Sequence, residues 1–166
     1  MRFYLDTEFN GFGGELISLA LVSEWVQVPM AQEGHKMCHE FYAARKITKP
    51  HVEWVKEHVL PVLRTHIMSP VTFKYEFQKF IQNFPECEVI CDWHTDAILF
   101  YEMLSGHDYA SSLDFPCTTR VLRTPKGFPV SALPHNALED ARALREWHES
   151  VGVGFAADYS TADAGA

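Results

Sequence analysis

The stretch RFYLDTEF at residues 2–9 decides the fold that we expect for this chain. It is rich in aromatic residues and alternates in polarity, as strands of a half-buried sheet do. The turn-forming segment NGFGG at residues 10–14 follows it, and LISLALV at residues 16–22 is apolar throughout. Turn residues between two such runs predict a β-hairpin whose second strand is buried.

The rest of the chain alternates between short apolar strands and amphipathic helices. We expect further strands at residues 40–43, 88–91 and 117–122, and helices at residues 50–60, 73–84, 95–104 and 136–150. Strands and helices in this order form a sheet with helices packed on it. The sequence therefore predicts an α/β fold with a mixed five-stranded sheet flanked by helices.

Length and composition are those of one folded domain. The chain has 166 residues, of which 47% are hydrophobic and 22% charged, close to globular averages. We expect this domain to cover residues 1–150. Residues 151–166 are mostly small and carry few apolar side chains, so we expect a flexible C-terminal tail there.

Charge and apolar patterning restrict the partners of the chain. The formal net charge is −8, whereas sequence-independent duplex binders are usually basic because they neutralise phosphates. Asp6 and Glu8 interrupt the N-terminus before a signal-peptide core could form. No apolar run approaches the roughly 18 residues that span a bilayer. We therefore expect a cytoplasmic protein with reduced cysteines and no membrane partner.

Asp6 and Glu8 are the first candidate functional residues. Side chains two apart on a strand point to the same face, so the first strand presents two carboxylates together. Acids at this spacing also occur on edge strands that face water. The apolar neighbours favour a position over a buried sheet, where crowded like charges need a cation.

The segment HNALED at residues 135–140 is the second candidate. Asn136 is a good helix N-cap, and Glu139 at the third helical position completes a capping box. His135 and Asp140 then occupy the two positions that meet in a hydrophobic staple. The pattern predicts that an imidazole and a carboxylate lie together; a simple salt bridge at a helix start is the alternative.

The segment CDWHTD at residues 91–96 supplies a further acid. Asp96 opens a predicted helix, where the helix dipole favours a carboxylate. Asp92 follows a strand and competes for the same role, so both remain candidates. Two divalent ions held by such acids can hydrolyse a phosphodiester, and a histidine can take the proton of the attacking water.

These motifs resemble those of the DEDDh 3′→5′ exonucleases of the RNase H-like superfamily. Asp6-Thr7-Glu8 comes first, an aspartate opens a mid-chain helix, and His135 precedes Asp140 by five residues. The segments DTEF at residues 6–9 and WVKEHVLP at residues 54–61 are similar to those of small exoribonucleases typified by RNase AS. The resemblance covers residues 1 to about 148, and it implies an RNase H-like fold and a homodimer.

The resemblance also implies an activity and a set of site residues. The activity is removal of nucleotides from the 3′ ends of single-stranded RNA in a bacterial or phage-infected cell. Two Mg²⁺ or Mn²⁺ ions would be held by Asp6, Glu8, Asp96 and Asp140, with Asp92 as a substitute for Asp96. His135 would be the general base and Glu8 would share in catalysis. Relatives carry His-Asn-x-x-Phe-Asp in mid-chain, whereas this chain has an acid at position 92.

Several residues are candidate substrate contacts. By match to the family, Phe9 and Asn10 would cradle the terminal nucleotide. Trp93 could stack on a base, although aromatic residues at strand ends also serve as core. Arg120 and Arg123, near Lys126, could contact phosphates, although a solvated basic loop is the alternative.

Three other interpretations remain. A DNA exonuclease would use the same acids, because selectivity for RNA depends on contacts to the 2′-hydroxyl. A catalytically silent RNase H-like module would bind a partner protein instead. Histidines and cysteines at residues 35–39 and 87–94 suggest zinc, but their spacing is not that of a standard zinc site.

Overall fold

The computed structural model describes residues 1–28, 35–105, 113, 115–122 and 131–151. Its strands are β1 (Arg2–Phe9), β2 (Leu16–Ser23), β3 (Val26–Gln27), β4 (Lys36–Met37), β5 (Glu40–Arg45), β6 (Ile67–Met68), β7 (Cys87–Cys91) and β8 (Cys117–Val121). Its helices are α1 (Glu53–His58), α2 (Pro70–Ile81), α3 (His94–Leu104) and α4 (Ala137–Ser150), with a 3₁₀ turn at Leu60–Val62.

Six strands form one mixed sheet in the order β6-β5-β2-β1-β7-β8, and β3 pairs with β4 in a separate ribbon. The β1–β2 and β2–β5 pairs are antiparallel, while β1–β7, β5–β6 and β7–β8 are parallel. The predicted α/β class is confirmed. The predicted count of five strands is wrong, because the two-residue strand β6 adds to the edge beside β5 and is too short to show periodicity.

Helix boundaries follow the cap residues. Helix α2 begins earlier than predicted because Ser69 caps it, accepting a hydrogen bond from the backbone N–H of Thr72 at 3.1 Å, and Pro70 fills the first position. The helix ends at Ile81, but Phe84 still packs on Phe3 with ring centroids 4.9 Å apart. Residues 152–166 of the predicted tail lie outside the described residues.

Strand β1 is buried on both faces. Phe3 and Leu5 pack into the main core against α2 and α3, whereas Tyr4 packs on the other face with Ile90 and with Leu144 of α4. Alternation along β1 therefore sends Asp6 and Glu8 toward the α4 face. None of the described helices is long and apolar enough to cross a membrane.

From its topology, the sheet is expected to have a crevice at one end. The last paired residues of the parallel strands β1 and β7 are Tyr4 and Ile90, and β1 continues to Phe9. From β1 the chain turns to β2 on one side, and from β7 it runs through α3 to β8 on the other. Such a divergence at the carboxyl ends of neighbouring parallel strands leaves room for a ligand between them.

Candidate metal centre

Five carboxylates meet in this crevice. Asp6, Glu8 and Asp140 offer oxygen atoms that all lie within 4.8 Å of one another. Asp6 forms a second group of the same size with Asp92 and Asp96. Asp6 belongs to both groups, so two clusters of hard oxygen donors lie side by side around one shared carboxylate.

The first group depends on the packing of α4. Helix α4 covers the face of β1 and β2 on which Asp6 and Glu8 lie, through Ala137 and Ala141 against Ala20 of β2. Small side chains at these two positions allow the helix to approach the sheet closely. The first turn of the helix thereby brings Asp140 to the two acids of β1.

Asn136 fixes the start of α4. Its Oδ1 accepts a hydrogen bond from the backbone N–H of Glu139 at 3.2 Å, as predicted for an N-cap. Its Nδ2 donates to the Tyr42 hydroxyl at 3.1 Å and to the backbone carbonyl of Val62 at 2.6 Å. This buried amide therefore ties α4 to β5 and to the 3₁₀ turn.

The predicted capping box is only half formed. The backbone N–H of Asn136 donates to the carbonyl of Leu133 at 3.2 Å instead of to the carboxylate of Glu139. That carboxylate pairs with Arg142 at 2.7 Å, and Arg142 also binds Glu40 on β5. Tertiary ion pairing has replaced the reciprocal half of the local motif.

His135 and Asp140 are adjacent, but the main chain makes their hydrogen bond. The backbone N–H of His135 donates to Oδ2 of Asp140 at 3.0 Å. His135 has a φ of +66°, a left-handed conformation that is uncommon for a residue with a side chain. Its ring packs edge-on against Trp54, with centroids 4.9 Å apart, and Trp54 stacks on His58 at 4.8 Å. A strained backbone thus holds the imidazole against α1, just before the start of α4.

The second group depends on the start of α3. Asp96 is 2% exposed, and its Oδ1 accepts a hydrogen bond from the Thr7 hydroxyl at 2.6 Å. Helix α3 begins at His94, one residue before the predicted start, and its N-cap is Trp93. Asp96 therefore lies in the first helical turn, and Asp92 precedes the helix.

Burial and mutual repulsion oppose ionisation of the acids on β1. Burial raises the pKa of Asp6 well above its ordinary value, and the neighbouring carboxylates, Asp96 first, raise it further. Burial raises the pKa of Glu8 to about 8, with added repulsion from Asp140. The ionised form of each acid is therefore unfavourable unless a positive charge lies nearby.

The remaining acids behave in the same way. Burial raises the pKa of Asp96 to about 7, although the hydrogen bond from Thr7 acts in the opposite direction. Burial also raises the pKa of Asp92 and that of Asp140. Five crowded carboxylates with oxygen-only donors match the preference of hard divalent cations, which would compensate their charge.

Phe9 and Asn10, which were predicted to contact the terminal nucleotide, differ in the groups that they have available for a ligand. Both polar ends of the Asn10 amide are already used: Nδ2 donates to the Pro50 carbonyl at 3.0 Å, and Oδ1 accepts from the Val52 N–H at 2.9 Å. Phe9 is half-buried, and its ring lies 6.4 Å from that of Phe12, which is 89% exposed. Asn10 therefore positions the segment before α1. Phe9 packs against the main core, and Phe12 is the exposed ring of the pair.

The other predicted substrate contacts lie on the β7–β8 side. Trp93 is 47% exposed, with its ring 5.2 Å from that of His94. Arg120 is exposed on β8, where one guanidinium nitrogen lies 3.1 Å from Nε2 of His148 and 3.6 Å from the Glu88 carboxylate. Arg123 and Lys126 lie outside the described residues.

Sequence patterns missed three residues that shape the site. Thr7 alternates away from the two acids, yet its hydroxyl reaches Asp96 because α3 begins over the end of β1. Tyr42 holds the helix cap and belongs to no recognisable motif. Trp54 begins the WVKEHVLP segment, but that resemblance did not predict its contact with the imidazole. In the described part of the chain, both groups of three or more metal-ligating side chains are carboxylates, which gives the zinc hypothesis no support.

Comparison with known proteins finds no matching family model, no matching curated protein and no matching solved structure. The chemistry of this site must therefore be inferred from its own geometry.

Proposed function

We propose that the protein is a metal-dependent 3′→5′ exonuclease of the DEDDh type, with an RNase H-like fold, acting on single-stranded RNA ends. The observation that carries this proposal is the sharing of Asp6 between two carboxylate groups. Sites that cleave phosphodiesters with two metal ions hold the ions about 3.5–4 Å apart, and a carboxylate shared by two donor groups would allow ion positions this close.

The donor set fits two Mg²⁺ or Mn²⁺ ions. Asp6, Glu8 and Asp140 would hold one ion, and Asp6, Asp92 and Asp96 the other. When bound, such ions lower the pKa of a coordinated water and stabilise developing negative charge at the scissile phosphate. The carboxylates set the ion positions, and the Thr7 hydroxyl orients Asp96.

His135 would accept the proton of the attacking water. Its backbone N–H is bound to Asp140, so the residue is anchored to the same acid that binds a metal. The edge-on contact with Trp54 restricts the orientation of the imidazole ring. Strain in a residue at φ > 0 is retained where it serves a function, and placement of a base is such a function.

The substrate preference follows from charge and exposed aromatic surface. A net charge of −8 disfavours long duplexes, and it is compatible with a short single-stranded end held at the metals. The exposed rings of Phe12 and Trp93 offer stacking surfaces for bases. A homodimer and a cytoplasmic location belong to the same proposal.

The test compares matched 5′-labelled RNA and DNA oligomers with Mg²⁺, with Mn²⁺ and with a chelator. We expect RNA ladders that shorten from the 3′ end and stop when the chelator is added. Asp140→Asn should reduce the rate by more than about 100-fold. Glu146→Gln, on the exposed side of the same helix, is the matched control and should retain the full rate.

Other outcomes assign the site differently. Faster degradation of DNA than of RNA would favour the DNA exonuclease. Absence of cleavage of either polymer, together with no Mn²⁺ binding by calorimetry, would favour the silent partner-binding module and end the proposal.

A further inference from the structure

Cys87 and Cys117 are cross-strand neighbours at the far end of the sheet from the acids. They are the first residues of the parallel strands β7 and β8, and they pair directly in register. Residues paired across neighbouring strands lie about 5 Å apart, within the roughly 4.4–6.8 Å between Cα atoms that a disulfide spans. The backbone already satisfies the distance requirement for a bond between them.

The two side chains also affect each other's ionisation. The neighbouring Cys87 thiol, and after it the Tyr101 hydroxyl, favour the thiolate form of Cys117. The Thr119 hydroxyl in turn donates to Tyr101 at 3.0 Å, which fixes that hydroxyl. The interaction between the two thiols lowers the pKa of Cys117 to about 7 and raises that of Cys87. One sulfur is thus favoured as a thiolate and the other as a thiol.

A small oxidant can reach this pair. Cys87 and Cys117 both line a surface cavity of about 520 Å³ at the start of the two strands. Cys117 is half-buried, whereas Cys87 is 5% exposed. Cys91 is fully buried, and burial raises its pKa to about 12, so it is a poor nucleophile.

We propose that Cys87 and Cys117 form a dithiol that a peroxide oxidises reversibly to a disulfide. The Cys117 thiolate attacks one peroxide oxygen, the O–O bond breaks, and hydroxide leaves and takes up a proton to become water. The resulting Cys117 sulfenic acid is then attacked by the sulfur of Cys87, which releases its proton and forms the S–S bond. The hydroxyl of the sulfenic acid leaves as the second water, so two thiols and one H₂O₂ yield one disulfide and two waters.

The disulfide would close a loop that contains α3. Strand β7 separates Cys87 from Asp92 by five residues, or about 16 Å of strand, so the bond forms without touching the carboxylates. It would tie α3, which carries Asp96, into a covalent ring with both flanking strands. Constraining a loop of this length raises the melting temperature by at least about 5 °C.

The test treats the full chain with stoichiometric H₂O₂ and counts thiols after unfolding. We expect the four thiols of the chain to fall to two, with a loss of about 2 Da and a peptide map that links residues 87 and 117. Reduction should restore both the thiols and the original melting temperature. Methionine oxidation adds mass and would not be reversed by thiol reductants.

Cys38→Ser is the matched control, because Cys38 is half-buried but its thiol contacts Glu40 at 3.6 Å rather than another cysteine. It should still oxidise between residues 87 and 117, whereas Cys117→Ser should not form the bond. Four thiols remaining after treatment of the wild-type chain, or a link that involves other cysteines, would overturn the proposal. Neither result depends on nuclease activity, so the disulfide proposal and the proposed nuclease function are tested independently.

Discussion

The hydroxyl of Thr7 donates a hydrogen bond to Oδ1 of Asp96 at 2.6 Å, joining the strand that carries two acids to the helix that carries a third. Thr7 points away from Asp6 and Glu8, so it supports the site from behind. Outer hydrogen bonds of this kind fix the orientation of a metal ligand.

We predict that Thr7→Val weakens Mn²⁺ binding by about 10- to 100-fold without unfolding the protein. Loss of the hydrogen bond also removes an interaction that lowers the pKa of Asp96, so the acid gives up its proton less readily. Isothermal titration measures the effect. Thr7→Ser keeps the hydroxyl and should retain most of the affinity; equal losses in both variants would contradict the role given to this bond.

Asp92 and Asp96 should differ in how much activity depends on them. Asp96 is almost fully buried and held by Thr7, whereas Asp92 is half-buried. We expect Asp96→Asn to reduce the rate of RNA hydrolysis by more than about 100-fold and Asp92→Asn by about 10-fold. Single-turnover assays at saturating Mn²⁺ give the comparison. A larger loss of rate in Asp92→Asn than in Asp96→Asn would mean that activity depends more on Asp92 than on Asp96.

The metal-free protein should lose stability as the pH rises. Glu8 and Asp96 have folded pKa values of about 8 and about 7, raised by burial, so the native state holds protons that the unfolded chain has released. Stability therefore falls between about pH 4 and pH 8. Thermal melts with a chelator measure this slope, and Glu8→Gln should flatten it. Added Mn²⁺ should raise the melting temperature most at pH 8; a chelated protein that gains stability with pH would contradict the prediction.

Substitution of His135 should affect activity and stability in different ways. Its φ of +66° favours glycine, so His135→Gly should leave the free energy of unfolding unchanged or raise it. The same change removes the proposed base and should lower the rate by about 100- to 10,000-fold, with Mn²⁺ affinity retained. Urea unfolding and RNA hydrolysis are measured on one preparation. Full activity of the glycine variant would remove His135 from the mechanism.

The N-cap of α4 should contribute more to the free energy of unfolding than the N-cap of α2. Asn136→Ala removes the cap and also leaves the half-buried carbonyl of Val62 without this donor, at a cost of about 2–3 kcal/mol. Ser69→Ala removes a cap on the protein surface and should cost about 1 kcal/mol. Urea unfolding compares the two. Equal costs would mean that the tertiary bonds of Asn136 contribute nothing.

Local periodicity predicted the residues of the site better than their contacts. The two-residue repeat of β1 was sufficient to place Asp6 and Glu8 on one face, and the helix-start signal placed His135 next to Asp140. The hydrogen bond between them runs through the main chain, because His135 adopts a positive φ that no sequence pattern reveals.

The tertiary arrangement was less predictable. The sequence presented Asp92 and Asp96 as competitors, but the crevice brings both to Asp6, because β7 ends where β1 continues. Strand β6 could not be predicted from two residues, and Thr7 could not be linked to Asp96 without the packing of α3 over the sheet. Each failure involves contacts between segments that are distant in the chain.

The order of β1 and α4 along the chain has a consequence for biosynthesis. The acids of β1 leave the ribosome before α4 is made, and Asp140 emerges 134 residues after Asp6 (140 − 6). A nascent polypeptide can therefore assemble at most the group of Asp6, Asp92 and Asp96. For the nuclease proposed above, this order prevents RNA cleavage by the nascent chain until Asp140 has emerged. Ribosomes stalled before and after residue 140 emerges should differ in RNA cleavage, and equal cleavage would refute this timing.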